Sequence, residues 1–457
     1  MTTQSPQTVL ILGAGLTGLS TAYHLSRQGY RVTLLDHPSW QDGFQANVSD
    51  ASPILFGCHH ETWRLLHTLD ADAPSQTGTT LPLEFRLSDG RIVPYRSAHL
   101  PGALQWMMSL FSFHGLAWHD RWKLFSHVEQ IWEQAQLLPA DLDNRTADAW
   151  LATIGQSQEA RHHMWEPLAK WLTGNALTRL SAATFVQLLS TVFLGQAVDA
   201  RLTYFHGSVG DRFLAPLRAT LEQLGAVLQP HTDLPNLHFE QDRLGGVQLR
   251  DGTLLHADWY VAALPHRKLL ALLPERLLTR YAYFAQIGEL TQLSEITVQF
   301  DSHSTTRTPR LILLADSPFH QLTISALGPQ DVRYRLSAIG NHTLADARDG
   351  ELIELGRTEL RMLNPAIEAD GIQSMEVYRE EEAALSLPPG TALLRPIQQS
   401  PIPNVLVAGA WTDTGWPTNI ESALVSARHC VDAITKTAEE NQSLGKERGS
   451  TTAPFNR

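Results

Sequence analysis

The stretch that most restricts the fold is "VLILGAGLTGLSTAYHLSRQGYRVTLLD" near the start of the chain. Val9–Leu12 reads as a buried strand, Leu16–Gln28 as a helix and Arg31–Leu35 as a second strand, which opens a parallel βαβ unit. Gly13, Gly15 and Gly18 fall in the G-x-G-x-x-G pattern between the first strand and the helix. The first permits a tight turn, the second lets backbone approach a pyrophosphate, and the third packs the helix on the strand. Phosphate oxygens then meet the free N–H groups at the helix N-terminus. Asp36 ends the second strand where an acid binds adenosine ribose hydroxyls, and its charge disfavours a 2′-phosphate. Ala14 and Thr17 lie in the same turn and count with these residues as cofactor contacts. A dinucleotide is implied, either FAD or NAD.

Composition excludes other classes. The 457 residues carry a formal charge of −12 with Lys and Arg scattered singly, so neither nucleic acid nor a polybasic membrane anchor is expected. Cys58 and Cys430 are the two cysteines, far apart, which suits a reducing cytoplasm and buried thiols. The N-terminal segment lacks a basic region and a small-residue cleavage site, so no signal peptide is expected. "LPGALQWMMSLFSFHGLAW" (100–118) has no Asp, Glu, Lys or Arg, yet Pro101, Gly102, Gln105, His114 and Gly115 make it a poor membrane span. It reads as a buried or membrane-surface helix, with possible peripheral contact on the inner membrane face.

From about Leu100 to Gly195 the pattern turns helical and rich in Trp and Leu. "GGVQLRDGTLLHADWYVAALP" restores strands, two around the Asp251-Gly252 turn and a buried one over Trp259–Ala263. Mixed segments such as "SEITVQF" and "RLILLADS" follow, and the polar end of the chain has no periodicity. The expected fold class is α/β: a Rossmann-type FAD-binding domain interleaved with a mixed α+β substrate domain. Residues 1–95, 205–265 and 393–436 are assigned to the first, 96–204 and 266–392 to the second, and 437–457 to a disordered tail.

A second strand–glycine–helix element chooses the cofactor. In "NVLVAGAWTDTGWPTNIESALVSARHCVDAI" a strand over Val405–Ala408 ends at Gly409, and a helix spans roughly Thr418–Ile434. NAD needs no such partner element, whereas the ribityl chain and isoalloxazine of FAD extend well past the pyrophosphate. The helix dipole would stabilise negative charge on the reduced flavin. Pro417 suits the first turn, and Thr418 or Asn419 can cap it. Gly409, Ala410, Trp411, Asn419 and Ile420 join the cofactor contacts, as do Gly43 and Leu234. Ile420 also begins a packing row with Ala423, Leu424 and Ala427.

The closing segment resembles the flavin motif of the squalene-associated FAD-dependent desaturases, the hydroxysqualene dehydroxylases of the amine oxidase and phytoene desaturase superfamily. "GCHHETWRLLHTLD", "MWEPLAKWLTGNALTRLSAATFVQLLSTVFLG" and "HADWYVAALPHRKLLALLP" are similar to further family segments, in order along residues 8 to 435. The resemblance implies FAD, a C30 isoprenoid substrate and reductive removal of a hydroxyl group, in hopanoid biosynthesis. Three positions depart from it. Asp42-Gly43-Phe44 stands where the family has Gly-Gly-Arg, Ala51-Ser52-Pro53 where it has Gly-Gln-His, and Ala410 where it has aspartate. Each loss removes a polar contact of roughly 0.5–3 kcal/mol.

The chemistry implied needs an apolar slot and a proton for the departing oxygen. Aromatic and Leu residues between Leu100 and Gly195 are slot walls or ordinary core. Asp413 and Thr414 are the candidate catalytic residues: Asp413 is a proton donor or positioning acid, or else a helix-capping aspartate. Glu166 is a cavity group or a helix-surface acid, the second being favoured. His59-His60 and His162-His163 are adjacent pairs whose side chains should diverge, so no metal is expected. A carotenoid desaturase, an amine oxidase and a catalytically impaired binding protein are the rival readings.

Overall fold

The computed structural model describes residues 6–40, 52–69, 78–96, 103–137, 139–230, 235–303, 308–328, 330–363 and 371–450. Gly43 and Leu234, like Phe44 and Ala51, lie outside the described residues. The chain divides into two compact units, one of Met1–Gln41, Phe213–Glu289 and Arg395–Arg457, the other of Asp42–Arg212 and Leu290–Leu394. The described residues between 52 and 95 thus group with the second unit, where the sequence reading gave them to nucleotide binding. Their strands explain this: Leu83–Arg86 pairs with Arg310–Leu314, and Ile54–Phe56 with Leu202–Tyr204.

The first unit is built on a five-stranded parallel sheet in the order Val405–Val407, Trp259–Ala262, Thr8–Leu12, Arg31–Asp36, Val227–Pro230. Strands buried on both faces read as continuous apolar runs, and Val9, Leu10, Ile11 and Leu12 are all buried. The helix Leu16–Arg27 buries Leu19, Ala22 and Leu25 and packs against the closing helix, so both ends of the chain share one core. That closing helix runs Ile420–Ser450, starting two residues later and continuing well past the expected end. The helix runs through residues 437–450, within the stretch 437–457 that the sequence assigns to a tail. The segment has no apolar stripe, but Ala, Glu, Gln and Lys are strong helix formers and prolong a helix that is already nucleated.

The second unit centres on a seven-stranded mixed sheet. Its order is Ile372–Leu385, Gln292–His303, Asp331–Ile339, Gln321–Ala326, Arg310–Leu314, Leu83–Arg86, Ile92–Tyr95. Ile296, Val298, Phe300, Leu322 and Leu336 form one apolar face, which the helix Asp349–Leu363 covers with Leu352 and Leu360. Beneath it, the Arg86 guanidinium meets the Glu359 carboxylate at 2.5 Å, both side chains being buried. Short helices fill residues 103–194, including Trp118–Ser126, Val128–Leu137 and Ala182–Leu189. Part of segment 100–118 is the helix Ala103–Ser112. Among the described residues, no helix is long and apolar enough to cross a membrane.

Candidate active site

Two glycine turns leave the same edge of the parallel sheet. Leu12 pairs with Ala262, which pairs with Val407, so Gly13 and Gly409 follow strands separated by a single intervening one. At the spacing of neighbouring strands these turns stand about 10 Å apart. Both sit beyond the carboxyl ends of parallel strands, where open α/β sheets bind ligands.

The opening turn is held tightly. Gly13 has φ +101°, and a Cβ there would meet the Ala263 carbonyl oxygen at 2.3 Å; a Cβ on Gly18 would meet the Gly13 carbonyl oxygen at 2.0 Å. Gly13 donates its N–H to Leu35 at 2.7 Å. Gly15 is the extended N-cap of the helix, with no side-chain cap and no acid in the first turn, which leaves the positive dipole end to an anion. Asp36 is half-buried beside this turn, its Oδ1 accepting from the Ala14 N–H at 3.4 Å. Thr17 is buried within the first helical turn.

Arg218, from the helix Ala215–Gln223, lies on the rim of the same turn. Its Nη2 donates to the Ala14 carbonyl at 3.4 Å and stands 4.0 Å from Asp36 Oδ2. The sequence reading found Phe44 where the family has an arginine and missed this other cation. No motif singles Arg218 out, because only the packing of its helix brings it to the turn.

The closing turn is built by hydrogen bonds that no motif announces. Gly409 has φ +153°, donates to Ser426 Oγ at 3.0 Å, and a Cβ on it would strike the Trp411 indole nitrogen at 2.4 Å. Trp411 is buried and donates that indole N–H to the Leu264 carbonyl at 2.9 Å. Thr412 Oγ1 bonds the Gly409 carbonyl and Ser426 Oγ, each at 2.8 Å. Arg395 organises the rest of the loop. Its guanidinium donates to the carbonyls of Trp411 at 3.3 Å, Trp416 at 2.7 Å, Ala410 at 3.2 Å and Thr412. Burial lowers the Arg395 pKa to about 10, against which the Asp413 charge acts, so the side chain stays cationic at neutral pH.

The remaining expected residues separate by role. Asp413 is exposed, with its N–H donating to the Pro396 carbonyl at 2.9 Å. Thr414 Oγ1 is tied to Ser422 Oγ at 2.7 Å. Asn419 caps the closing helix, accepting from the Ser422 N–H at 2.8 Å through Oδ1, and Ile420 is the first helical residue. The Ala410 carbonyl also accepts from Ser422 Oγ at 2.9 Å, so backbone rather than a carboxylate is presented at this position.

Elsewhere, in the second unit, Glu166 accepts from the Leu177 N–H at 2.8 Å and pairs with Lys170 at 3.0 Å, a local structural role. The expected divergence of His162 and His163 does not hold. A π-helical turn over Arg161–Trp165 places their ring centroids 5.3 Å apart, and both meet Asp316. The Ser88 hydroxyl first, then His162, hold the Asp316 carboxyl below its usual range. His59 is buried, which pushes its pKa down to about 3, and Cys58 and Cys430 are buried thiols.

Two glycine turns on one sheet edge, a dipole end free for an anion, and a carboxylate at the end of the second strand fit an extended dinucleotide carrying a flavin. Comparison with known proteins agrees. A family model for flavin containing amine oxidoreductases matches residues 16–435, and the chain belongs to that family. It is 24% identical over 487 residues to a zeta-carotene desaturase of Synechocystis sp., covering 93% of this chain and 96% of that one. It is also 22% identical to a 15-cis-phytoene desaturase of Glycine max, covering 97% and 82%. Among solved structures, cyclohexylamine oxidase from Brevibacterium oxydans superimposes with a TM-score of 0.66 at 16% identity, covering 95% of this chain and all of that one. An oxidoreductase from Methanosarcina mazei gives a TM-score of 0.69 at 13% identity, covering 93% of this chain. The protein is an FAD-dependent oxidoreductase of the amine oxidase and desaturase superfamily. The expected α/β Rossmann-type fold holds.

Proposed function

We propose that the protein reductively dehydroxylates hydroxysqualene to squalene, acting on a C30 isoprenoid with FAD as its cofactor. FAD would be held at the Gly13–Gly15 and Gly409 turns and, when reduced, would supply the hydride that replaces the hydroxyl lost as water from an allylic alcohol. The chain must hold a long apolar molecule, supply a proton to the departing hydroxyl and keep bulk water out. The observation that carries this reading is an apolar cavity of about 680 Å³ in the second unit, walled by Phe56, Leu81, Leu83, Tyr95, Phe193 and Leu202. Its size is that of a lipid or cofactor site. The relatives named as carotenoid desaturases support an isoprenoid substrate. The closing motif, which resembles that of the hydroxysqualene dehydroxylases, favours dehydroxylation over desaturation. Asp413, exposed in the loop after Gly409, is the candidate proton donor or positioning acid, with Thr414 beside it.

Access from a lipid surface belongs to the same reading. Trp118, Trp122 and Trp132 are at least half exposed, at 60%, 52% and 51%. Trp118 and Trp122 stack at 6.4 Å, an arrangement suited to the headgroup layer of a bilayer. The deciding experiment is anaerobic incubation of dithionite-reduced protein with hydroxysqualene, with squalene measured by gas chromatography and mass spectrometry. Stoichiometric squalene supports the proposal. Inertness toward hydroxysqualene, with turnover of phytoene by the oxidised protein, assigns carotenoid desaturation instead.

A further inference from the structure

The seven-stranded sheet of the second unit has two unlike faces, one apolar and one polar. Side chains alternate along each strand, so the neighbours of the apolar set Ile296, Val298, Leu336 and Leu322 point the other way. Register aligns Thr297 with Ser337 and Ser337 with Gln321; one row on, Arg335 stands beside Thr323. A polar face normally meets water, yet Thr297 and Ser337 are each only 5% exposed. Burying such groups costs free energy unless hydrogen bonds replace water.

These residues line a cavity of about 470 Å³ together with Glu295 and Trp171. Thr297 and Ser337 bond each other at 3.3 Å through their hydroxyls. Gln321 borders the cavity, and its Oε1 is buried without a hydrogen-bond partner. Burial raises the pKa of Glu295, Glu380 adds to the effect, and a Ser337 hydrogen bond and Arg335 oppose it. Arg333 is already neutralised by Asp301 in a forked pair at 2.8 and 2.8 Å. Beyond Arg333 the lining carries Arg335, Asp211 and Glu295, charges of both signs, so a neutral group that both donates and accepts suits the set better than a single full charge.

The apolar cavity is a near neighbour. Trp171 lines the polar one, Phe56 lines the apolar one, and their rings are 5.2 Å apart. We propose that this polar cavity is a subsite for a hydroxyl group on an otherwise apolar ligand, held among Glu295, Ser337 and Gln321. The inference rests on the dehydroxylase reading and deepens it. A pure hydrocarbon has no use for these groups, and leaving them unpaired discriminates strongly against it.

The test uses full-length flavin-loaded protein and two C15 probes of like shape, farnesol and farnesene, titrated calorimetrically in the same detergent micelles. Farnesol is expected to bind at least tenfold tighter than farnesene. Gln321→Leu and Glu295→Leu should each cut that preference severalfold and leave farnesene affinity unchanged, while Glu295→Gln, which still donates, keeps most of it. Matching circular dichroism spectra and flavin content show that the variants are folded. Equal affinities for the two probes, or a preference that survives both leucine substitutions, overturns the subsite. Selective farnesol binding without conversion of hydroxysqualene keeps the subsite and removes the reaction. Conversion with no selectivity does the reverse.

Discussion

Arg395 is the residue whose loss should separate the flavin loop from the rest of the fold. Its guanidinium spans the carbonyls of Ala410, Trp411, Thr412 and Trp416, all in the turn that follows the closing strand. Arg395→Met keeps the length and removes every donor. Ser422 still serves the Ala410 carbonyl, so three carbonyls lose their protein partner on this side. At about 1 kcal/mol for each carbonyl that water can reach in part, the loss is about 3 kcal/mol. For a unit of this size that is a fall in melting temperature of roughly 6–12 °C. Because the loop rather than the sheet is loosened, FAD affinity should drop at least tenfold.

The assay pairs thermal melting with FAD titration followed by absorbance near 450 nm. Arg395→Lys is the informative control, since it restores charge without the planar fork and should recover less than half of either loss. A methionine variant that melts within a degree or two of the parent and keeps full flavin would refute the reasoning. The loop would then be shaped by Trp411, Thr412 and Ser426 alone.

Arg218→Glu places a carboxylate beside Asp36 at the glycine turn; since the side chain is partly exposed, FAD affinity should fall only about three- to tenfold, with a smaller fall at high salt, as equilibrium dialysis would record. Glu359→Ala strands the buried Arg86 charge and should cost about 3–5 kcal/mol in urea unfolding. His59 and His320 are both held near pKa 3 by burial, so the unfolded state binds more protons between pH 6.5 and 3. Stability should be full above pH 7 and fall by about 1.4 kcal/mol per pH unit for each histidine as pH drops below 6.5; His320→Asn should flatten that acid limb in pH-dependent melts. Replacing Trp118 and Trp122 by Ser should release the protein from zwitterionic phosphatidylcholine vesicles in a flotation assay without changing its melting temperature.

What the sequence disclosed about this fold follows from how local each signal is. The opening βαβ unit was legible because strand, turn and helix are contiguous and the glycines report close backbone approach: the strand Thr8–Leu12, the helix Leu16–Arg27 and the acid Asp36 at the end of Arg31–Asp36 all match. The pairing of Trp259–Ala262 between the two glycine strands was not legible, because parallel neighbours lie hundreds of residues apart and nothing in either strand encodes the other. The same limit hid Arg395 and Arg218, whose importance lies in backbone carbonyls that a motif does not display. The convergence of His162 and His163 was misread for a different reason: adjacent side chains diverge in an α-helix, and the π turn that brings them together leaves no clear mark in composition.

The polar sheet face joins these two lessons. Strand alternation over Gln292–His303 and Asp331–Ile339 is visible in the sequence, and by itself it says that one face is apolar and the other wet. Burial of the polar face changes the meaning of the pattern. Hydroxyls and a carboxyl kept from water at a cavity wall are a cost to folding that a hydrogen-bonding ligand offsets. Glu295→Gln gives a way to weigh that cost. A carboxyl whose pKa is raised by folding destabilises the native state as pH rises from its unfolded value through the raised one, so the amide should melt higher than the parent at neutral pH and no differently at pH 4. If the two proteins melt alike at neutral pH, the carboxyl is ionised without penalty, and the sheet face is solvated surface rather than a site.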